Sequence, residues 1–315
     1  MNPQVCLLSL LGALLLLACS EDSAPVDLEI DIETSNYPKL TWPVSGTDGR
    51  DWTINNYVDL DPSSGMLDYR GGAKVYDGHK GVDIDSPDFR AMDRGFPILA
   101  AAPGIVSGLR DGEYDRNMSC AGQWNYVAIT HADGSRAIYG HLKKGSVSVS
   151  LGDTVSLQQI LGLMGSSGCS THPHLHLELR SSTGQVLDPF ELGLWIDPPK
   201  YDTPLTFMSM SLRDGHISSI DEVKDPPPAD ATELRLGSRL GIGLSMAGGG
   251  PGDHIGIEIT DGDGIQRYNL GRTFERIWRH TWWWWNVFTE GSLGTWTIEI
   301  RVNGALVNTS TVTVN

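Results

Sequence analysis

The chain has 315 residues, enough for two domains of ordinary size and ample to bury a core. Lysine and arginine total 23 against 39 acids, a formal charge of −16. No basic stripe offsets that balance, which argues against nucleic acid and anionic membrane surfaces as electrostatic partners.

In chain order, Leu7 to Ala18 is an apolar run of about 12 residues, too short to span a bilayer at about 1.5 Å per residue and suited to a signal-peptide core. It ends in Leu16-Leu17-Ala18-Cys19, which resembles a bacterial lipoprotein cleavage box. Residues 1–19 therefore read as an export signal with Cys19 as a lipid-bearing mature N-terminus. The alternative is an ordinary secretory peptide ending at Ala18. Export would remove Cys6, and lipid would occupy Cys19, leaving Cys120 and Cys169 as a pair in an oxidising compartment. A disulfide between them would close a loop of about 50 residues, worth about 4 kcal/mol in the chain-entropy model, and would pin the segment before His172.

Residues 20–38 carry six acids and no base, the composition of a solvated tether. Within them Val26 to Glu33 alternates apolar and acidic residues, so a short edge strand is the competing expectation. From Leu40 to Tyr76 the text is turn-rich, with Asp61-Pro62-Ser63-Ser64-Gly65 and Gly71-Gly72, and predicts loops and short strands forming one wall of a cleft. Between Val75 and Pro189 short apolar segments alternate with turns such as Ala132-Asp133-Gly134-Ser135, which predicts a mostly antiparallel β domain. Asp188-Pro189 and Asp197-Pro198-Pro199 mark its end, giving a domain over 39–199 with its core at 74–190.

Residues 200–315 read as a second domain, an immunoglobulin-like β-sandwich. Its alternating runs include Ile255 to Ile259 and Thr295 to Val302, and Asn303-Gly304 is a strong hairpin signal before Thr309 to Val314. On a strand, two of the four indoles of Trp282-Trp283-Trp284-Trp285 face the core. The other pair needs a partner: the first domain, neighbouring loops, or a glycan. Asp261-Gly262-Asp263-Gly264 lacks the acidic end of a calcium loop and reads as a hairpin turn.

The chemistry concentrates in Thr171-His172-Pro173-His174-Leu175-His176-Leu177-Glu178-Leu179 and in Gly78-His79-Lys80-Gly81-Val82-Asp83. In a strand His174, His176 and Glu178 share one face and the leucines the other, so burial of the leucines fixes where the imidazoles point. His79 and Asp83 would stand roughly 13 Å apart on a flat strand, too far to share one ion, so that segment must bend, with Gly81 permitting the turn. Two imidazoles and a carboxylate without thiolate suit a catalytic zinc with an open fourth position.

His79-x-Gly81-x-Asp83, Tyr139-Gly140-His141-Leu142 and Pro173-His174-Leu175-His176 resemble, in order, the motif set of the lysostaphin/LytM-type zinc endopeptidases. Arg94 to Val106, Asn125 to His131, Gly152-Asp153-Thr154-Val155 and Gly162-Leu163-Met164-Gly165 extend the likeness. It departs at Leu177, where an aromatic is common, and at His172, where Thr-Gly or Ser-Gly often precedes the proline. The resemblance implies one zinc per chain held by His79, Asp83 and His176, with His141 and His174 as catalytic histidines beside it. It implies hydrolysis of peptide cross-links in peptidoglycan stems, in the cell envelope or outside it, with membrane contact only through a lipid on Cys19. No His-Glu-x-x-His helix is present, so a glutamate base is not indicated, although Glu178 is placed to support a ligand. Two other functions fit the same fold: a LytM-like regulator without catalysis, and a secreted protease acting on other proteins. Loss of a ligand or catalytic histidine usually marks the regulator, and all five positions are filled here.

Overall fold

The computed structural model describes residues 37–315; the signal segment, Cys19 and the Val26–Glu33 alternation lie outside them. The described residues form one compact unit. None of its helices is long and apolar enough to cross a membrane.

The first half is built on an eight-stranded sheet. Its order is Thr53–Asn56, Val82–Asp85, His174–Arg180, Arg136–Gly140, Tyr126–Thr130, Gly104–Arg110 and Thr154–Val155, with Val186–Leu187 also paired to His174–Arg180. Every pairing within it is antiparallel, as the alternating segments predict. Leu175, Leu177 and Leu179 enter one core with Val82, Ile84, Val127, Ile129 and Tyr139. The Tyr139 hydroxyl accepts from the Ala101 amide at 2.9 Å, so that buried polar atom is satisfied. Cys120 and Cys169 are disulfide-bonded, on two short strands paired directly opposite each other.

The second half is a sandwich with a separate core. A three-stranded sheet (Thr206–Asp214, Arg239–Ala247, His280–Phe288) faces a five-stranded one (Glu233–Leu234, Ala305–Val314, Gly294–Val302, His254–Thr260, Gln266–Thr273). Leu240, Ile242, Leu244 and Met246 from the first meet Ile255, Ile257, Trp296, Ile298 and Ile300 from the second. Asn303 and Gly304 both take positive φ, 50° and 84°, as a two-residue hairpin turn requires. Asp261 to Gly264 likewise form a hairpin turn, closed by the Asp261 carboxylate accepting the Asp263 and Ile265 amides.

Of the four tryptophans, Trp283 and Trp285 pack on the sandwich core. Trp282 points the other way, with its ring 5.0 Å from that of His172 and 4.0 Å from that of His280. Its indole N–H donates to the Pro87 carbonyl at 3.4 Å. The unpaired aromatic face is thus used, in part, to hold the two halves together.

Candidate active site

The strand His174–Arg180 lies between Val82–Asp85 and Arg136–Gly140, and its register places His176 opposite Asp83 on one side and Gly140 on the other. His174 falls opposite Asp85. Both faces of this strand are buried, so a one-residue slip would drive imidazoles into the leucine core.

His79 Nε2 stands 3.1 Å from Asp83 Oδ2 and 3.2 Å from His176 Nδ1, and His176 Nδ1 stands 2.9 Å from Asp83 Oδ1. Ligands at about 2.0–2.1 Å from a tetrahedral ion are separated by about 3.3 Å, so these atoms fit one zinc with little movement. The other ring nitrogens are held from behind. His79 Nδ1 donates to the Tyr57 carbonyl at 2.6 Å, which leaves Nε2 free for a metal. His176 Nε2 faces Glu178 Oε2 at 3.4 Å, and Glu178 in turn pairs with Arg180. Before any metal binds, burial opposes the charged form of His176, but Asp83 and Glu178 outweigh it and push the imidazole up to about 9. Burial also opposes the Asp83 charge, yet the surrounding histidines hold that carboxyl well below its usual range.

Gly81 serves a different purpose from the one expected. Its φ is not in the left-handed region; Gly78 supplies that conformation, at +76°. A Cβ on Gly81 would lie 2.7 Å from the His176 ring and 2.7 Å from the Leu177 carbonyl. The glycine is a clearance for the imidazole, and the bend is made one turn earlier.

His141 and His174 stand beside this cluster, with ring centroids 4.4 Å apart. His141 Nδ1 donates to the Ser167 carbonyl at 2.6 Å and His174 Nδ1 to the His172 carbonyl at 2.9 Å. Each therefore presents an unprotonated Nε2, and His174 Nε2 lies 3.6 Å from Asp83 Oδ1. Burial, then the charges of His174 and His176, hold His141 well below the ordinary imidazole value. Burial also lowers His174. Both are neutral at pH 7, the form a proton acceptor needs. His141 takes a φ of 62°, a backbone conformation uncommon outside glycine.

Two contributors, Trp124 and Asn56, lie outside the motifs. Trp124 lies with its ring 5.2 Å from His141 and 5.8 Å from His176, forming a wall of the site. Gly140 makes room for it, since a Cβ there would lie 2.2 Å from the indole. Asn56 donates to Asp83 Oδ2 at 2.8 Å. A second group, Asp85, His172 and His280, gathers three buried residues drawn from both halves of the chain. His280 Nδ1 donates to Asp85 Oδ2 at 2.8 Å. His172 Nε2 lies 2.5 Å from the same oxygen, in direct contact. His131 donates from Nδ1 to the Pro103 carbonyl and His216 contacts Arg239, while His254 is exposed; none of these joins either cluster.

An antiparallel sheet that converges two histidines and an aspartate, flanked by two neutral histidines, defines a metallopeptidase-like site. Residues 77–189 match the sequence model of Peptidase family M23, so that segment of the chain carries an M23 peptidase domain. It is similar to the DD-carboxypeptidase/endopeptidase Mpg of Neisseria meningitidis, 34% identical over 117 residues that cover 37% of this chain and 23% of that protein. It is 38% identical over 101 residues to the peptidoglycan DD-endopeptidase ShyA of Vibrio cholerae, covering 32% of this chain and 20% of that one. The chain thus spans about a quarter or less of the length of these relatives. Among solved structures, the catalytic domain of the prophage-encoded M23 protein EnpA from Enterococcus faecalis covers 47% of this chain and 95% of its own, at 28% identity and a TM-score of 0.33.

Proposed function

We propose that the protein is an exported zinc metalloendopeptidase that hydrolyses peptide cross-links of peptidoglycan, tethered to the envelope by a lipid on Cys19. In this reading residues 39–199 are the peptidase domain and 200–315 an appended sandwich. The observation that carries it is the convergence of His79 Nε2, Asp83 and His176 Nδ1 at ligand spacing, beside two neutral histidines with free Nε2 atoms. The names of the relatives supply the substrate class.

His79, Asp83 and His176 would hold the zinc, which when bound supplies Lewis-acid polarisation of the scissile carbonyl and acidifies water toward a pKa of about 7. His141 and His174 supply the proton handling. The one nearer the attacking water takes its proton at Nε2 and afterwards gives that same proton to the leaving amine, while the other, also unprotonated at Nε2, accepts a second hydrogen bond from the water and orients it. Burial keeps both uncharged until the reaction charges the base, and the Ser167 and His172 carbonyls keep the accepting nitrogens aimed inward. Trp124 narrows access above them and limits bulk water.

Fragment release from purified peptidoglycan, followed by mass spectrometry, tests this reading. The wild type should release cross-link cleavage products. His141→Ala and His174→Ala should retain zinc and lose on the order of 10²–10⁴ in rate. A zinc-loaded wild type that binds peptidoglycan but releases nothing would instead identify a regulator.

A further inference from the structure

Two adjacent residues of the sandwich, Arg279 and His280, reach into the peptidase half by separate routes. Arg279 Nη1 donates to Asn56 Oδ1 at 2.6 Å, and Asn56 Nδ2 donates to Asp83 Oδ2 at 2.8 Å. That is the oxygen 3.1 Å from His79 Nε2. His280 is anchored behind by Ser245 Oγ at 2.8 Å from its Nε2, and its Nδ1 donates to Asp85. Asp85 contacts His172, whose main-chain carbonyl accepts the Nδ1 proton of His174. The sandwich also grips this last segment directly. Lys224 Nζ donates to the Thr171 carbonyl at 3.3 Å while lying 4.7 Å from the centroid of Trp282.

Each route ends on a group whose orientation matters. Asn56 uses one carboxylate oxygen of Asp83 and so sets how that side chain turns toward the cluster. His172, held by Asp85 and Trp282, sets the carbonyl that selects the tautomer of His174. Asp85 and His280 are completely or nearly completely buried, so little solvent competes for the contact between them. A sandwich that merely decorated the peptidase would not place buried polar side chains against the two residues that flank the reacting centre.

We propose that Arg279 and His280 are positioning residues, through which the C-terminal sandwich braces the metal ligand Asp83 and the proton-handling His174. The proposal rests on the hydrolase reading above for the role of His174, and on the zinc reading for that of Asp83. It makes the sandwich part of the working site, so a peptidase domain whose sandwich contacts are broken should be folded but poorly tuned.

The test uses the full exported chain. His280→Asn keeps an N–H close to the place of Nδ1, whereas His280→Gln carries its amide too far out, so the two differ in the contact and not in polarity. On soluble cross-linked peptidoglycan fragments, His280→Gln should lower kcat about 10- to 100-fold with KM unchanged, and His280→Asn should recover most of it. By chelator competition, Arg279→Met should weaken zinc binding about 10- to 100-fold and Arg279→Lys should restore part of that loss. Thermal unfolding of the same samples establishes that the variants are folded. Equal turnover by folded His280→Asn, His280→Gln and wild type overturns the His280 route. Unchanged zinc affinity in Arg279→Met overturns the Arg279 route. A wild type that binds zinc without hydrolysing refutes the hydrolase reading alone, and the zinc affinities still decide the brace; a wild type without zinc refutes both.

Discussion

Asp83 and Asp85 sit two residues apart on one strand, each buried and each grouped with two histidines at close range, yet the two clusters are arranged differently. Around Asp83 the nitrogen and oxygen atoms stand 2.9–3.2 Å apart and use both carboxylate oxygens, leaving space between them for an ion. Around Asp85 both imidazoles close on a single oxygen, at 2.5 and 2.8 Å, the spacing of direct contact and hydrogen bonding, and the other carboxylate oxygen has no partner. One aspartate and two histidines are therefore arranged at ligand spacing around both carboxylate oxygens in one place and as an interlock on a single oxygen in the other. Residue identity does not separate them; the carboxylate oxygens used and the spacing do.

The largest effect that can break this comparison is loss of the metal. His176→Ala should abolish zinc binding, whereas Asp85→Asn should leave the stoichiometry at one per chain, as read by elemental analysis of the purified proteins. Loss of zinc from Asp85→Asn with retention in His176→Ala would reverse the assignment.

A smaller effect probes the clearance at the first cluster. Gly81→Ala puts a methyl 2.7 Å from both the His176 ring and a main-chain carbonyl, and overpacking of this kind costs about 1–3 kcal/mol. Thermal unfolding should register that loss, together with weaker zinc retention under chelator. A variant that binds zinc as tightly as the wild type at an unchanged Tm would show that the strand yields freely.

The smallest effect sharpens the electrostatic side of the comparison. Burial works against the charge on Asp83 and Asp85, but their histidines hold both carboxyls below the ordinary range. Asp188 is buried without a cation, has one carboxylate oxygen with no partner, and is pushed up to about 6 by desolvation. Native Asp188 therefore binds a proton more tightly than the unfolded chain does. Its contribution to stability is greatest at acidic pH and is lost as pH rises from the ordinary aspartate range through about 6. Asp188→Asn should flatten stability across that window and raise it at pH 7 by on the order of 1–3 kcal/mol. Parallel urea midpoints for both proteins at every pH would contradict this.

Much of the site was legible because strand periodicity and register are local. The leucines at 175, 177 and 179 tell which way His174 and His176 face, and Asn303-Gly304 names its own turn. The cysteine pair followed from elimination and is formed. The reason for Gly81 was misread because flat-strand geometry asks for a bend, while the crowding that requires glycine comes from a strand nearly a hundred residues later. Trp124, Asn56 and the group around Asp85 could not be found by spacing. His280 is 195 residues from Asp85, and a lone histidine on an alternating strand gives no sign of its partner. One signal was available: Asp85 repeats Asp83 at a period of two on an apolar strand, and a second buried carboxylate calls for its own cation or donors.

Anomalous diffraction at the zinc edge from crystals of the zinc-loaded full chain tests the central claim most directly. The account predicts a single peak per chain, bounded by His79, Asp83 and His176, with Asp85, His172 and His280 in direct contact and no metal between them. A peak among Asp85, His172 and His280, or none beside Asp83, would contradict it.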